Sequence, residues 1–389
     1  MRLAIIRQRY TPYGGAERFV EAALEALLER GIAISLYTRG WPQTRLQLIE
    51  PILCDPFYLG RLWRDWSFAR RVCRMIAGQP PELVQSHERL LCCDVYRAGD
   101  GVHGIWLEER LRGASLLARR IVEWSPYHRY VLAMERRLFG SPSLRAVICN
   151  SKMVRDEIRE RFGLPEAALH VIYNAVDSEV FSPQLGQHRA AVRAKLGVPD
   201  AATVFLLVGS GYARKGVATA IAALARLPAD TYLFVVGRDK ARRRYKSLAR
   251  RLGVAQRVAL LGPQEDVRPF YGAADAFVLP TLYDPCPNAA LEAMACALPI
   301  VTSTKCGAAE LVLENDAGFV CSSRDVDSLA WHMTTLTDAG ARAKLGARAR
   351  DAVLPLTPEA MTLQLVLLYR DLLAAAHAAR TEQPKTAAL

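Results

Sequence analysis

Short apolar runs alternate with amphipathic helical patterns along most of the chain. In the first half the runs read LAIIR, ISLYTR, LVQSH, RAVICN and ALHVIYN, and patterns such as GAERFVEAALEALLERG separate them. This alternation is typical of a parallel sheet wrapped by helices. The hydrophobic pattern therefore predicts the α/β class.

The same rhythm restarts after Pro183 with the runs TVFLLVGSG, TYLFVVGRD, VALLG, ADAFVLPT and LPIVTS. We therefore expect two facing, doubly wound Rossmann-like domains with a linker near 182–187. The expected bounds are 1–185, 186–360 and a terminal segment, 361–389, whose helix packs back toward the first domain. Ligands of such sheets bind at the carboxyl ends of the strands, and two facing units form a cleft between them.

Composition narrows the kind of partner. The 389 residues carry a formal net charge of +12, which favours a polyanionic partner such as a nucleotide, a nucleic acid or an anionic lipid surface. The first apolar run is too short for a signal peptide, and no run approaches eighteen apolar residues. The nine cysteines are scattered without a C-x-x-C pair, which predicts reduced core thiols, a cytoplasmic protein and no structural metal.

Paired glycines follow the first run, in YTPYGGAERF. Gly14 and Gly15 at a strand-to-helix turn would let the backbone approach an anionic ligand closely. An ordinary tight turn explains the same pattern. The turn does not have the G-x-G-x-x-G spacing that a dinucleotide-binding dehydrogenase would need.

A second glycine turn, LLVGSGYARKG, opens the second half and carries two cations. Arg214 and Lys215 beside a helix start could meet diphosphate oxygens. Arg238, at the end of the run FVVGRDK, could flank a base or a ribose. A solvated basic pair is the alternative explanation for Arg214 and Lys215.

The stretch LPTLYDPCPNAALEAMACALPIVTS places two carboxylates on either side of a proline-rich elbow. Asn288 fits an N-cap, which would leave the amides of Ala289 and Ala290 free for a phosphate or a sugar hydroxyl. Glu292 could accept from ribose hydroxyls, and Asp284 could face a sugar. Alternatively, the two acids only complement the helix dipole, which is worth about 0.3–1 kcal/mol each.

These motifs together resemble a known family. The D-x7-E pattern followed by AMACALPIV is similar to the E-x7-E motif of family 4 glycosyltransferases of the GT-B fold. The segments PYGGAERF, DVYRAGD, VGSGYARKG and FVVGRDK resemble those of the lipopolysaccharide core glucosyltransferase I group. That group transfers glucose from a UDP donor to inner-core heptose with retention of configuration.

The resemblance implies roles for the donor side. Arg214 and Lys215 would neutralise the donor diphosphate, Glu292 would hold the ribose, and Asp284 would contact the transferred sugar. The other implied donor-binding residues are Gly14, Gly15, Ser210, Arg238, Asn288, Ala289 and Ala290. Metal and cofactor are expected to be unnecessary, because these cations can stabilise the leaving group.

On the acceptor side the resemblance implies catalytic roles for Asp100, in RAGDGVH, and for His103, the nearest imidazole. His103 fits a structural loop histidine as well. Two donor-side positions depart from the family pattern. Asp284 replaces the usual Glu and is one methylene shorter, and Ser210 stands where many members carry a phosphate-binding Arg.

Two segments of the first half, GRLWRDWSFARRVCRMIAG and GIWLEERLRGASLLARRIVEWSPYHRYVLAMERR, mix tryptophans with arginines. Such mixtures on amphipathic helices can lie at an anionic lipid interface. Packed aromatics with solvated arginines are the alternative. We expect a peripheral protein at the cytoplasmic face of the inner membrane, acting on a lipid-linked glycan.

Several functions remain open from the sequence. The same fold could serve an exopolysaccharide or glycolipid acceptor, and a catalytically weakened nucleotide-binding scaffold fits the departures at Asp284 and Ser210. Only the net charge suggests a nucleic-acid partner, and no recognition motif supports one. The leading hypothesis is a retaining hexosyltransferase that uses UDP-glucose or a UDP-N-acetylhexosamine.

Overall fold

A computed structural model describes residues 2–9, 27–28, 31–41 and 51–381. They form two parallel sheets, one in each half of the chain, with helices on both faces. This architecture confirms the predicted α/β fold with two doubly wound units.

The N-terminal sheet has the strand order β3-β2-β1-β4-β5-β6-β7. Its strands are β1 Arg2–Ile6, β2 Ala33–Thr38, β3 Ile52–Leu53, β4 Leu83–Ser86, β5 Val95–Arg97, β6 Ala146–Cys149 and β7 Leu169–Val171. The described helices of this half are α1 Gly60–Gly78, α2 His103–Leu111, α3 Leu116–Glu123, α4 Pro126–Phe139 and α5 Lys152–Phe162.

The C-terminal sheet has the order β10-β9-β8-β11-β12-β13. Its strands are β8 Thr203–Val208, β9 Thr231–Val236, β10 Val258–Gly262, β11 Ala276–Leu279, β12 Ile300–Ser303 and β13 Gly318–Cys321. Its helices are α6 Arg189–Leu196, α7 Tyr212–Lys215, α8 Val217–Leu224, α9 Arg242–Arg251, α10 Arg268–Ala273, α11 Asn288–Ala295, α12 Ala309–Glu314, α13 Val326–Thr335, α14 Ala339–Val353 and α15 Pro358–Thr381.

Burial explains why the strands read as continuous apolar runs. Every residue of β11 and β12 is buried, as are the first five of β8. Strands covered by helices on both faces need apolar side chains on both faces. The central strands therefore show no alternation of apolar and polar residues.

The chain crosses between the halves twice, and the two crossings lie side by side. The Val176 amide donates to the Leu356 carbonyl at 2.9 Å. Between the sheets, Pro183–His188 forms a 3₁₀ helix where the sequence predicted a linker. The predicted domain limits themselves stay predictions.

Helix α15 returns to the N-terminal half. Leu365 and Tyr369 are buried there in one cluster with Leu3 and Ile5 of β1. By length and composition alone, one helical stretch of the described residues, 339–375, could span a bilayer. The packing of Leu365 and Tyr369 is that of a core helix in a globular fold.

One part of the cysteine prediction is wrong. Cys73 of α1 and Cys92 after β4 form a disulfide, although the scattered spacing predicted reduced thiols throughout. The two residues are 19 apart in sequence, and only the packing of α1 against the β4–β5 connection brings them together. The remaining seven described cysteines are free and buried.

Replacing Leu365 by Ala should destabilise the N-terminal half by about 2–5 kcal/mol, because it removes a fully buried side chain from a packed cluster. Urea denaturation followed by the N-terminal tryptophans measures this loss. Leu367, half exposed on the same helix, provides the control, and Leu367→Ala should change the free energy of unfolding by less than about 0.5 kcal/mol. Equal effects of the two substitutions would contradict the packing of α15 described above.

Candidate functional site

In the C-terminal sheet, β8 and β11 are neighbours, and the strand order runs outward from them in opposite directions. Such a switch point leaves a crevice at the carboxyl ends of the two strands, where ligands of open α/β sheets bind. The loops after β8 and β11 carry Arg214, Lys215 and Asp284. The fold therefore brings together three of the predicted site residues.

Close backbone approach holds the two loops together. Gly216 has φ +73°, and a Cβ there would lie 1.9 Å from the Pro280 carbonyl oxygen. The Arg214 carbonyl accepts from the Leu282 amide at 2.8 Å and from the Thr281 hydroxyl at 2.9 Å. Only glycine fits at position 216, so the ARKG segment is fixed against the proline-rich elbow.

The backbone of Asp284 is held on its other side by the loop after β12. Its amide donates to the Lys305 carbonyl at 2.9 Å, and its carbonyl accepts from the Gly307 amide at 2.8 Å. A Cβ on Gly307 would lie 1.6 Å from the Pro285 carbonyl oxygen. The elbow is thus pinned between two loops that both end strands of the same sheet.

Asp284 faces the two cations of the ARKG segment. Its Oδ2 accepts from Arg214 Nη1 at 3.0 Å and from Lys215 Nζ. The side chains of Asp284 and Lys215 are both buried, whereas that of Arg214 is partly exposed. Burial alone would raise the pKa of Asp284, but the charges of Lys215 and Arg214 outweigh it and hold that pKa below its ordinary value.

Helix α11 follows the elbow, and its start differs from the prediction. Pro287 is the N-cap residue, and no side chain caps the helix. The side chain of Asn288, predicted as the cap, instead accepts from Asn174 Nδ2 at 2.6 Å. The Ala290 amide donates to the Pro287 carbonyl at 2.9 Å, so it is not free for a ligand, while Ala289 lies half-buried in the same turn.

Glu292 lies one turn into α11 and is buried. Its Oε2 accepts from the hydroxyl of Tyr271 at 2.7 Å, and the same hydroxyl reaches the Ala289 carbonyl at 3.2 Å. Tyr271 thereby fixes the carboxylate beside the first turn of the helix. The predicted contact of Glu292 with a ribose stays a prediction.

Ser210 and Arg238 lie at the exposed ends of neighbouring strands β8 and β9. The Arg238 amide donates to Ser210 Oγ at 3.1 Å. The structure thus brings these two predicted residues together at the rim of the crevice. Their guanidinium and hydroxyl groups are accessible from solvent.

The N-terminal half has a corresponding cavity of about 280 Å³ at the carboxyl ends of β1 and β4, which are neighbours in that sheet. Asp100 lines it, together with arginines and tyrosines. The other charged and aromatic lining residues are Arg7, Arg9, Arg64, Asp65, Phe68, Glu88, Arg89, Tyr127 and Tyr130. Mixed cations and carboxylates of this kind suit a polyhydroxylated, partly anionic ligand.

His103 starts α2 and is not among the side chains that line the cavity. Its Nε2 lies 3.0 Å from Nδ1 of His128, and its amide donates to Glu135 Oε1 at 2.7 Å. Burial, aided by the charge of Arg89, lowers the pKa of His103 to about 3. His103 is therefore neutral near pH 7, and its predicted catalytic role stays a prediction.

Gly14 and Gly15 lie outside the described residues. Among the residues that the structure describes, no three His, Cys, Asp or Glu side chains are grouped so that they could hold a metal ion. Metal independence stays a prediction.

Three site residues escaped the sequence analysis: Asn174, Tyr271 and Tyr283. Asn174 follows β7 and joins Arg97 to the elbow by donating to the Cys286 carbonyl at 3.0 Å. Tyr283 directly precedes Asp284 and reaches into the N-terminal half. Asn174 is a polar residue at the end of an apolar run, and this position could have identified it from the sequence. No local sequence feature distinguishes Tyr271.

Comparisons with known proteins match both halves of the chain. The model of "Glycosyltransferase Family 4" matches residues 13–180, and that of "Glycosyl transferases group 1" matches residues 188–352. The two matches follow each other along the chain and leave residues 1–12, 181–187 and 353–389 uncovered.

Among curated relatives, the chain is 27% identical over 325 residues to the lipopolysaccharide glucosyltransferase WaaG of Escherichia coli K12, covering 82% of this chain and 85% of WaaG. It is 28% identical over 347 residues to the lipopolysaccharide core biosynthesis glycosyltransferase LpsE of Rhizobium meliloti, covering 87% and 91%.

Solved structures share the fold. A crystal structure of WaaG matches with a TM-score of 0.78 and 24% identity, covering 92% of this chain and 98% of that one. HepE of Anabaena, solved with UDP and glucose, matches with a TM-score of 0.71 and 21% identity, covering 95% and 100%.

Removing the charge of Lys215 by Lys215→Met should cost about 3 kcal/mol of folding free energy, because it strips a buried carboxylate of one partner. The double variant Lys215→Met with Asp284→Asn should lose less folding free energy than the two single variants lose together. Urea denaturation of the three variants measures this coupling.

The exposed pair of Arg348 and Asp316, 3.2 Å apart, provides the control. Arg348→Met should cost less than about 1 kcal/mol. If the losses of folding free energy in Lys215→Met and Asp284→Asn simply added up in the double variant, the buried pair would not stabilise the elbow.

Proposed function

Because this chain belongs to the family 4 glycosyltransferases of the GT-B fold, we propose that it is a retaining hexosyltransferase. Its donor would be UDP-glucose or a UDP-N-acetylhexosamine, and its acceptor a lipid-linked cell-envelope glycan of the lipopolysaccharide core. The chain is related to the lipopolysaccharide core enzymes WaaG and LpsE, and this relation supports the acceptor class.

The observation that carries the proposal is the cluster of Lys215, Arg214 and Asp284 at the switch point of the C-terminal sheet. A donor diphosphate offers these two cations more negative charge than one carboxylate does. It would therefore compete with Asp284 for them and leave the carboxylate available to a sugar hydroxyl. Such an arrangement suits a nucleotide-sugar, and the burial of Lys215 with a carboxylate argues against a solvated basic pair.

The proposed reaction needs no protein nucleophile. The acceptor hydroxyl attacks the anomeric carbon from the face that the diphosphate leaves, the bond from that carbon to the diphosphate oxygen breaks, and the diphosphate takes the hydroxyl proton. Lys215 and Arg214 would stabilise the negative charge that develops on the leaving group. Asp100, lining the facing cavity, would orient the acceptor.

The uridine diphosphate part of the proposal rests on relatives. HepE of Anabaena was solved with UDP and glucose, and it shares the fold with this chain. Glu292, fixed by Tyr271, supplies a carboxylate that could accept from the vicinal hydroxyls of a ribose. The reaction is proposed to proceed without a metal ion.

Calorimetric titration with UDP, UDP-glucose, UDP-N-acetylglucosamine and GDP-mannose, with and without magnesium, tests the donor class. An assay of donor hydrolysis on each ligand that binds should follow. We expect metal-independent binding of UDP and slow release of the sugar. The absence of binding to all four would mean that the D-x7-E elbow is a structural relic or serves another nucleotide. Transfer to another lipid-linked glycan would favour an exopolysaccharide or glycolipid enzyme.

We further propose that the N-terminal half contacts an anionic membrane. Helix α3 has no buried residue, and Leu117, Ile121 and Trp124 are 70%, 64% and 77% exposed. They are spaced four and three residues apart and therefore share one face of the helix. Such a face, with Arg119 and Arg120 beside it, is typical of a helix that lies in a lipid interface.

Helix α1 extends this surface, since α1 and α3 both pack against α4. Phe68 is buried, whereas Trp63 and Trp66 are exposed. Arg70 lies over the ring of Trp66 at 5.4 Å. The tryptophan and arginine mixture of α1 therefore faces solvent in part, which supports contact with an anionic membrane surface. We propose the cytoplasmic face of the inner membrane as that surface.

Glu292→Gln should weaken UDP binding roughly tenfold, because the neutral amide makes weaker hydrogen bonds to ribose hydroxyls. Asp284→Asn should leave UDP binding no weaker than in the wild-type protein, since it removes a carboxylate that competes for Lys215, yet it should lower transfer. Calorimetry and a transfer assay separate the two effects. Equal losses of UDP affinity in both variants would contradict this division of roles.

Leu117→Ala combined with Ile121→Ala should weaken binding to anionic vesicles, and so should Arg70→Gln combined with Arg71→Gln. We expect each pair of substitutions to weaken vesicle binding roughly tenfold. Co-sedimentation with phosphatidylglycerol vesicles at low and high salt measures the effect, and phosphatidylcholine vesicles show the charge dependence. Leu313→Ala, at an equally exposed leucine of the C-terminal half, should bind as the wild-type protein does.

A further inference from the structure

Tyr283 belongs to the donor-side elbow, but its side chain ends in the N-terminal half. It is 2% exposed. Its hydroxyl accepts from the Val102 amide at 2.9 Å and donates to Glu157 Oε2 at 2.7 Å. Burial raises the pKa of Tyr283 well above its ordinary value, so the phenol keeps its proton and both bonds persist over the working pH range.

The N-terminal loop is shaped to receive this hydroxyl. Gly101 has φ +67°, and a Cβ there would lie 2.2 Å from the Tyr283 hydroxyl oxygen. Only glycine both adopts this backbone and leaves room for the ring. Asp100, the acceptor-side carboxylate, directly precedes this contact.

A second path connects the same elements. Glu157 of α5 is buried, and its Oε1 accepts from Lys305 Nζ at 2.8 Å. The Lys305 carbonyl in turn accepts from the Asp284 amide at 2.9 Å. Tyr283, Glu157, Lys305 and Asp284 thus form a closed ring of bonds that includes the elbow on one side and α5 on the other.

From this geometry we infer that Tyr283, held by Glu157, is a positioning residue that sets the acceptor loop at Asp100 relative to the donor elbow at Asp284. The inference rests on the proposed function. It adds a specific role: the hydroxyl of Tyr283 fixes the distance from the attacking acceptor to the anomeric carbon, whereas the donor itself is bound by other residues.

A purely structural role is the competing explanation, because Tyr283 also holds the two halves together. Another contact between the halves is remote from Asp284 and Asp100 in sequence. Lys152 Nζ donates to Glu314 Oε1 at 2.6 Å, and both side chains are about half exposed. This ion pair provides a matched control that joins the same halves without touching either loop.

Tyr283→Phe removes the hydroxyl and keeps the ring. We expect transfer to the acceptor to fall roughly tenfold or more, because small misplacements of reacting groups cost this much. UDP affinity and donor hydrolysis by water should change less than about threefold, since water needs no acceptor loop. The ratio of transfer to hydrolysis is therefore the decisive measurement.

Glu314→Gln should leave that ratio unchanged. Glu157→Gln can still accept from Tyr283 but weakens the bond to Lys305, so its ratio should lie between those of the wild-type protein and Tyr283→Phe. Melting temperatures of all variants are compared first. If Tyr283→Phe does not fold, the test rests on Glu157→Gln alone. An unchanged ratio of transfer to hydrolysis in Glu157→Gln would then overturn the inference.

The outcomes separate this inference from the proposed function. Equal losses of transfer and hydrolysis in Tyr283→Phe, or an equal change of the ratio in Glu314→Gln, would overturn the positioning role and leave the transferase intact. If the wild-type protein neither binds UDP nor releases sugar, the proposed function fails, and the inference fails with it.

Discussion

The burial of one ion pair, Lys215 with Asp284, is the constraint on which the site depends. Two charges taken out of water must compensate each other closely, because an isolated buried charge is costly. Their loops must therefore meet at van der Waals distance. Glycines at 216 and 307 permit this approach, since a Cβ at either position would collide with a backbone carbonyl.

In the proposed donor site, the same pair would select for strongly anionic ligands. Because Asp284 already satisfies Lys215 and Arg214, a neutral sugar gains little by entering. A ligand must bring enough charge to compensate for the contact that it displaces.

The sequence predicts the sheets and the charged loops well, because both depend on local pattern. Parallel strands buried on both faces read as apolar runs, and the polar residues that end them lie at one edge of the sheet. Arg214, Lys215 and Asp284 were found in this way. Their mutual contact was not predicted, because it depends on β8 and β11 being neighbours in the sheet.

What escaped prediction depends on contacts between distant residues. Asn288 has the residue type of a cap, but Asn174, 114 residues away, holds its side chain, and the cap position moves to Pro287. Tyr283 binds Glu157 across 126 residues. The Cys73–Cys92 disulfide likewise requires α1 to pack on one particular connection. No propensity or spacing encodes such pairings.

The two side-by-side crossings of the chain, joined from Val176 to Leu356, have a mechanical consequence. Each half has its own core, so opening the cleft need not disrupt either one. A movement that keeps the crossings intact reduces to rotation about an axis through them. In such a rotation the crossings would serve as the hinge, and the far rim of the crevice would travel furthest.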